Sequence, residues 1–241
     1  IAGFTTISEK MKPDALVKFL NEYLQAMTEI VLAHQGTLDK YEGDALMAFW
    51  NAPLAQHDHA LSACRAALEQ QEKLESLRKK WKKEGHEEIR IRIGINTGEA
   101  VVGNMGSRDR FDYTAIGDNV NLASRLEGIN KQYGTQILIA ENTYQQVKND
   151  LACREVDLIR VKGKHEPVRI YELVQDSDKK DFAPFEEALA LYREGKFEGA
   201  KTKFAALKND PVAAVFAARC EAFLKTPPPQ DWGGVWTFAV K

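Results

Sequence analysis

Asp44 closes the stretch Lys40-Tyr41-Glu42-Gly43-Asp44 and precedes the apolar run Ala45 to Trp50. A carboxylate held by rigid backbone at a strand start suits a hard divalent cation such as Mg²⁺, which takes oxygen ligands and commonly shares them with phosphates. Further along, Asn121 and Arg125 are four apart in a helical stretch, so a hydrogen-bonding amide and a permanent positive charge share one face. At the amino end, Ile1-Ala2-Gly3-Phe4-Thr5-Thr6 leads into a short helix over about Phe4 to Met11, whose first N–H groups are unpaired and make an anion site. Plainer readings exist. A Gly-Asp turn is ordinary hairpin chemistry, and a threonine at a helix start is an ordinary cap. Together with Asp112 to Arg125 and Val161-Lys162-Gly163-Lys164, however, these stretches point to phosphate chemistry.

The elements that must position these groups are legible from periodicity. Thr37 to Tyr41 and Ala45 to Trp50 are expected as two strands joined by a Glu42-Gly43 loop, with Asp44 at the start of the second. Pro13 opens a long helix, where proline is tolerated. Its stripe of Leu16, Leu20, Tyr23, Leu24, Met27, Ile30 and Val31 is core, and Gln35-Gly36 ends it. Residues 56–83 form a second long helix, burying Ala60, Ala63, Cys64, Ala67, Leu68 and Leu74 and ending in lysines that complement the helix dipole. Ile89 to Ile95 alternates as a strand, Asn96 to Glu99 turns, and Ala100 to Asn104 returns. Phe111 to Ala115 is short and extended. A helix follows from Asn119 to about Tyr133, ended by Gly134. Ile137 to Ile139, a short helix over Glu141 to Lys148, and strands within 151–174 complete the unit. This order is that of an α+β sandwich, with helices on a mainly antiparallel sheet.

Composition narrows the class. With 241 residues, a net charge of −2 and 28% charged residues, the chain is an ordinary globular protein. The balance gives no reason to expect nucleic acid or an anionic membrane surface as partner. No run approaches 18 apolar residues. Cys64, Cys153 and Cys220 are too scattered for a disulfide framework or a zinc site and are expected as reduced, mostly buried thiols. His57 and His59, at i and i+2, point to different sides of a helix and are expected at the surface. The polar stretch Gln175 to Lys180 marks a boundary, giving a main domain over 1–174 and a small helical extension over 175–225. The extension has the pattern of a single tetratricopeptide-like helix pair. Residues 226–241 form an extended tail whose proline run favours polyproline II and whose Trp232 and Trp236 are anchors for the same molecule or its dimer mate. The chain opens on Ile1 within a strand-to-helix transition, so it is expected to be the cytoplasmic catalytic piece of a longer protein, reaching a membrane only through a preceding part.

Residues 1 to about 174 resemble the catalytic domain of the class III nucleotidyl cyclases. Asp112-Tyr-Thr-Ala-Ile-Gly-Asp-Asn-Val-Asn-Leu-Ala-Ser-Arg125 is the most specific match. The resemblance implies a ferredoxin-like sheet with helices, working as a head-to-tail homodimer with active sites between protomers. It implies two Mg²⁺ or Mn²⁺ ions per site, about 4 Å apart in such centres, held by Asp44, the backbone carbonyl of Ile1 and an aspartate expected immediately before Ile1. It further implies a triphosphate cradle at Gly3, Phe4 and Thr5, purine reading by Lys40 and Thr114, ribose orientation by Asn121, transition-state stabilisation by Arg125, and a terminal-phosphate contact from Lys162. Lysine only donates and so suits adenine N1, an acceptor, whereas guanine N1 carries a hydrogen. A threonine hydroxyl accepts from the adenine 6-amino group but also donates, so strict selectivity does not follow. The expectation is an adenylate cyclase acting on ATP. The alternatives are an inactive cyclase-like regulatory module and a cyclase of relaxed ATP/GTP selectivity. Enzymes that condense GTP into cyclic dinucleotides carry a Gly-Gly-Asp/Glu-Glu/Asp-Phe turn, which Glu42-Gly43-Asp44-Ala45 does not match.

Overall fold

Residues 1–161, 163, 166–175 and 181–238 are described by the computed structural model. Its centre is the short run Ile137–Ala140 (β6), every residue of which is buried. Because side chains alternate along a strand, Leu138 and Ala140 join one apolar cluster while Ile137 and Ile139 join another on the opposite face. A strand dressed on both sides in this way must be sandwiched.

Beside β6 run Ile93–Ile95 (β3), parallel to it, and Val168–Leu173 (β8), antiparallel. Cys153–Arg160 (β7) pairs antiparallel with β8, and Trp236–Thr237 (β9) lies parallel to β7 at the far edge. The sheet order is β3-β6-β8-β7-β9. Two further antiparallel ladders stand outside this sheet: Thr37–Glu42 (β1) with Ala45–Phe49 (β2), and Val101–Gly106 (β4) with Phe111–Ile116 (β5).

His59–Lys83 (α3) and Glu141–Val147 (α5) cover one face of the sheet. Asp118–Tyr133 (α4) covers the other, together with Ala183–Arg193 (α6), Phe197–Ala206 (α7) and Pro211–Lys225 (α8). Pro13–Ala33 (α2) and the short Phe4–Glu9 (α1) pack with the end of α3 through Phe19, Tyr23, Met27, Leu77 and Trp81. Among the described residues no helix is long and apolar enough to cross a membrane.

The α+β architecture agrees with expectation, and three local features differ. Residues 89–92 keep the alternation, with Ile89 and Ile91 buried, but lie outside any ladder; the backbone bond from Ala2 N to Arg90 O (2.7 Å) is what they receive instead. The segment after Thr97-Gly98 does not return along β3. It leaves to pair with β5 in a separate two-stranded ladder. The extension holds three helices rather than one pair, the third starting at Pro211 under an Asp210 cap. The tail tryptophans dock on their own chain: Trp232 packs on Tyr192, Phe197 and Phe223, and Trp236 lies over the Arg219 guanidinium. The three cysteines are free. Burial pushes the Cys64 thiol well up, that of Cys153 up to about 12 and that of Cys220 up to about 11, so none is a poised nucleophile at neutral pH.

Candidate active site

The β1–β2 hairpin turns on Gly43-Asp44, one residue later than the sequence suggested, since Glu42 is still paired with Ala45. Gly43, at φ +64°, supplies the backbone conformation that the first of two loop positions requires. Asp44 is therefore the second turn residue rather than the first strand residue. Its carboxylate is 22% exposed, and Oδ2 lies 2.5 Å from the Ile1 backbone nitrogen. Two positions expected at one metal centre, Ile1 and Asp44, are thus adjacent. Gly3, at φ +69°, caps α1 without help from any side chain, so the threonine-cap alternative does not hold. Gly3 and Thr5 are exposed, and Phe4 is half-buried against the α2 cluster.

Within β1 the register slips: Leu38 faces Ala48 and Lys40 faces Met47, leaving Asp39 as the extra residue of a β-bulge. In an unbroken strand neighbouring side chains leave on opposite faces; a bulge re-aims them. Here the Asp39 carboxylate, 2% exposed, accepts from Thr114 Oγ1 at 2.7 Å and from Ala115 N at 3.3 Å, both through Oδ2. Its Oδ1 lies 3.5 Å from Lys40 Nζ. The two expected base-reading residues, 74 positions apart (114 − 40), are gathered on one carboxylate. Sequence reasoning missed Asp39; the acidic residue directly before Lys40 in a half-buried strand is the one signal that pointed to it.

Helix α4 presents the other pair. Asn121 is exposed near its start, and Arg125 one turn on is half-buried, with Nη1 buried and without a hydrogen-bond partner among the described residues. A guanidinium nitrogen left in this way is available to a ligand. A Cβ on Gly163 would stand 3.7 Å from Arg125 Nη2, so Gly163 lies close to the arginine. Lys162 itself lies outside the described residues. The helix is set close by glycine: a Cβ on Gly94 would fall 2.2 Å from the Ala123 carbonyl oxygen and 2.3 Å from Glu127 N. Asn96 Nδ2 donates to Asn119 O (3.0 Å) and Asn119 Nδ2 to Glu99 O (2.9 Å), fixing the start of α4 to the loop after β3.

Metal fit was tested on the donors present. Asp44 and the Ile1 carbonyl are hard oxygen donors on residues the fold brings together, so they fit a Mg²⁺-like ion. Among the described residues no group of three or more His, Cys, Asp or Glu side chains could hold an ion by itself. Two surface depressions, beside His57 and His59 and beside α7 and α8, are lined by none of the candidate residues.

Comparison with known proteins now bears on this arrangement. Residues 1–175 match the family described as "Adenylate and Guanylate cyclase catalytic domain". The chain is 45% identical over 174 residues to adenylate cyclase 1 of Rhizobium meliloti (strain 1021), a match spanning 72% of this chain and 26% of that relative. It thus spans about a quarter of that relative's length. Among solved structures, the adenylyl cyclase CyaB from P. aeruginosa superposes with a TM-score of 0.68 at 40% identity, covering 73% of this chain and 90% of that one. The guanylyl cyclase Cya2 superposes with a TM-score of 0.65 at 34% identity, covering 74% and 91%. Sequence, fold and site geometry therefore agree that this chain belongs to the family of adenylate and guanylate cyclase catalytic domains, the class III nucleotidyl cyclases.

Proposed function

We propose that this chain is the catalytic part of an adenylate cyclase that converts ATP to 3′,5′-cyclic AMP and pyrophosphate at the interface of a head-to-tail homodimer. The observation that carries the choice of ATP is the pairing of Lys40 with Thr114 on Asp39. Lys40 donates to adenine N1, and Thr114 accepts from the 6-amino group. The named adenylate cyclase relatives support the same choice.

The ribose 3′-oxygen attacks the α-phosphorus; the new O–P bond forms as the bond to the β-phosphate oxygen breaks, and pyrophosphate leaves. Asn121 holds the ribose so that the 3′-oxygen is in line, which is a positioning task. Arg125, whose Nη1 has no hydrogen-bond partner among the described residues, meets the charge that develops on the phosphoryl oxygens. The backbone N–H groups of Gly3, Phe4 and Thr5 and the ammonium of Lys162 take the outer phosphates. Asp44, the Ile1 carbonyl and the aspartate expected immediately before Ile1 would hold two Mg²⁺ or Mn²⁺ ions. Bound there, such ions neutralise phosphate charge and acidify the 3′-hydroxyl.

Large apolar side chains on the β4–β5 hairpin, Val101 (64% exposed), Phe111 (63%) and Ile116 (51%), support a second copy as the covering partner. The test uses two variants, Asp44→Asn and Arg125→Ala, assayed for cyclic AMP alone and mixed. Each alone is expected to be inactive. If metal and phosphate groups come from different protomers, random mixing makes half the dimers heterodimeric with one intact site each, restoring about a quarter of wild-type activity. No product from ATP at any concentration with wild-type protein that includes the residue expected before Ile1 would overturn the proposal.

A further inference from the structure

We infer that Asp39 is the residue that makes the site choose ATP over GTP, by fixing which way the Thr114 hydroxyl points its proton. This rests on the base-reading role of Lys40 and Thr114 proposed above and deepens it. A hydroxyl has one proton and can donate or accept. A free threonine would accept from the adenine 6-amino group and donate equally well to the guanine 6-oxygen. Thr114 is not free. Its Oγ1 donates to Asp39 Oδ2 at 2.7 Å, and a carboxylate in the ionised form only accepts. The same oxygen takes Ala115 N–H at 3.3 Å, which fixes the carboxylate's orientation against β5. Thr114 therefore turns lone pairs, and no proton, to the base. That pattern fits an amino group and repels a carbonyl oxygen.

The second carboxylate oxygen completes the arrangement. Asp39 Oδ1 is buried, accepts no hydrogen bond among the described residues, and lies 3.5 Å from Lys40 Nζ. It holds the Lys40 side chain on the same carboxylate that orients Thr114. One carboxylate, aimed by the β1 bulge, thus sets an acceptor for position 6 and a donor for N1 together. Asp39 touches no substrate; it is a positioning residue acting through Thr114 and Lys40.

The test is the ratio of kcat/KM for ATP to that for GTP in the full chain, with Asp39→Ala, Asp39→Asn, Thr114→Val and the double variant Asp39→Ala/Thr114→Val. Asp39→Ala frees the hydroxyl, and the ratio should fall about tenfold, the scale of one misdirected hydrogen bond. Asp39→Asn offers its amide oxygen to both Thr114 Oγ1 and Ala115 N, so the ratio should stay within about twofold of wild type. In the Thr114→Val background Asp39→Ala should lower the ratio much less than it does alone, since no hydroxyl remains to be oriented and only the Lys40 contact is lost. An unchanged ratio in Asp39→Ala, or an equal further fall in the Val background, would overturn the inference. If Asp39→Ala does not fold, Asp39→Asn decides: a ratio held supports the inference, and a ratio lost in a folded protein rejects it. Failure of the underlying reading is distinct, because then wild-type chain itself would not prefer ATP.

Discussion

Arg219 Nη1 on α8 donates to Asp157 Oδ2 on β7 at 2.6 Å, and the Tyr133 hydroxyl, at the last residue of α4, donates to the same carboxylate oxygen at 2.5 Å. Arg219 Nη2 closes the triangle on Tyr133 Oη at 3.0 Å. All three side chains are buried. The C-terminal helices therefore grip the end of the helix whose other end bears Asn121 and Arg125.

Arg219→Met should cost about 3–5 kcal/mol, because it strands the Asp157 charge in the core. Burial pushes the Asp157 carboxyl up, with Arg219 working against that, so the folded pKa lies above the unfolded one. A raised carboxyl favours the folded state when protonated, and that benefit is lost as pH rises. In Arg219→Met the opposing cation is gone and the shift grows. The stability gap to wild type, from denaturant titration, should accordingly be widest at neutral pH and shrink on acidification. Asp157→Asn in the Arg219→Met background should recover part of the loss.

Asp210 gives the opposite sign. Its Oδ1 accepts from Val212 N (3.0 Å) and Ala213 N (3.2 Å), capping α8, while both Arg154 Nη atoms donate to its two oxygens. Burial alone would raise this carboxyl, but the Arg154 bonds and charge, with the cap, together hold it below its ordinary value. Its contribution is complete above the unfolded Asp pKa and is lost as pH falls through the lower folded one. Asp210→Asn, which keeps a capping oxygen, should cost about 1–3 kcal/mol at neutral pH, the scale of a hydrogen bond to a charged group. Melting curves from pH 7 down to 2 should show the gap closing only below about pH 4.

Gly94→Ala tests the seat of α4. The added Cβ meets backbone at 2.2 and 2.3 Å, and backbone cannot rotate away. The helix must move, carrying Asn121 and Arg125 with it. A displacement near 1 Å in a positioning element costs about a hundredfold in rate. We expect kcat for cyclic AMP formation to fall on that order, with a stability loss of about 1–3 kcal/mol from overpacking in a thermal melt. Full activity in a folded Gly94→Ala protein would show that α4 placement is not limiting.

Arg125→Lys keeps the charge but replaces the planar fork by a point charge on a flexible stem. The buried Nη1 has no counterpart in lysine. The expected outcome is a loss of at least about tenfold in kcat with a smaller change in KM, read from steady-state kinetics, as for an interaction made mainly in the transition state.

Much of this was legible in the sequence where one period or one turn residue governs the outcome. The stripe of α2, the αL glycine after Tyr133, and the carboxylate beyond Gly43 are local signals. What escaped is what depends on partners distant in sequence. A bulge leaves no mark on alternation, so neither Asp39 nor the slip around Val156 that turns Asp157 inward was visible. Charged residues such as Arg219 and Asp157 default to the surface, and only the folded chain shows that they satisfy each other. The departure of Ala100 to Asn104 from β3 was hidden because a strand's pattern names its faces, not its neighbour.

Trp236 and Thr237 form only two residues of strand, yet they lie along the outer backbone of β7, in register with Ile159 and Arg160. Without them the Ile159–Arg160 end of β7 would be open sheet margin, with unpaired amide and carbonyl groups. Such a margin recruits strands from other molecules. The tail thus also shields that end of the sheet, and a chain shortened before Trp232 is expected to show more sheet-linked aggregation in light scattering.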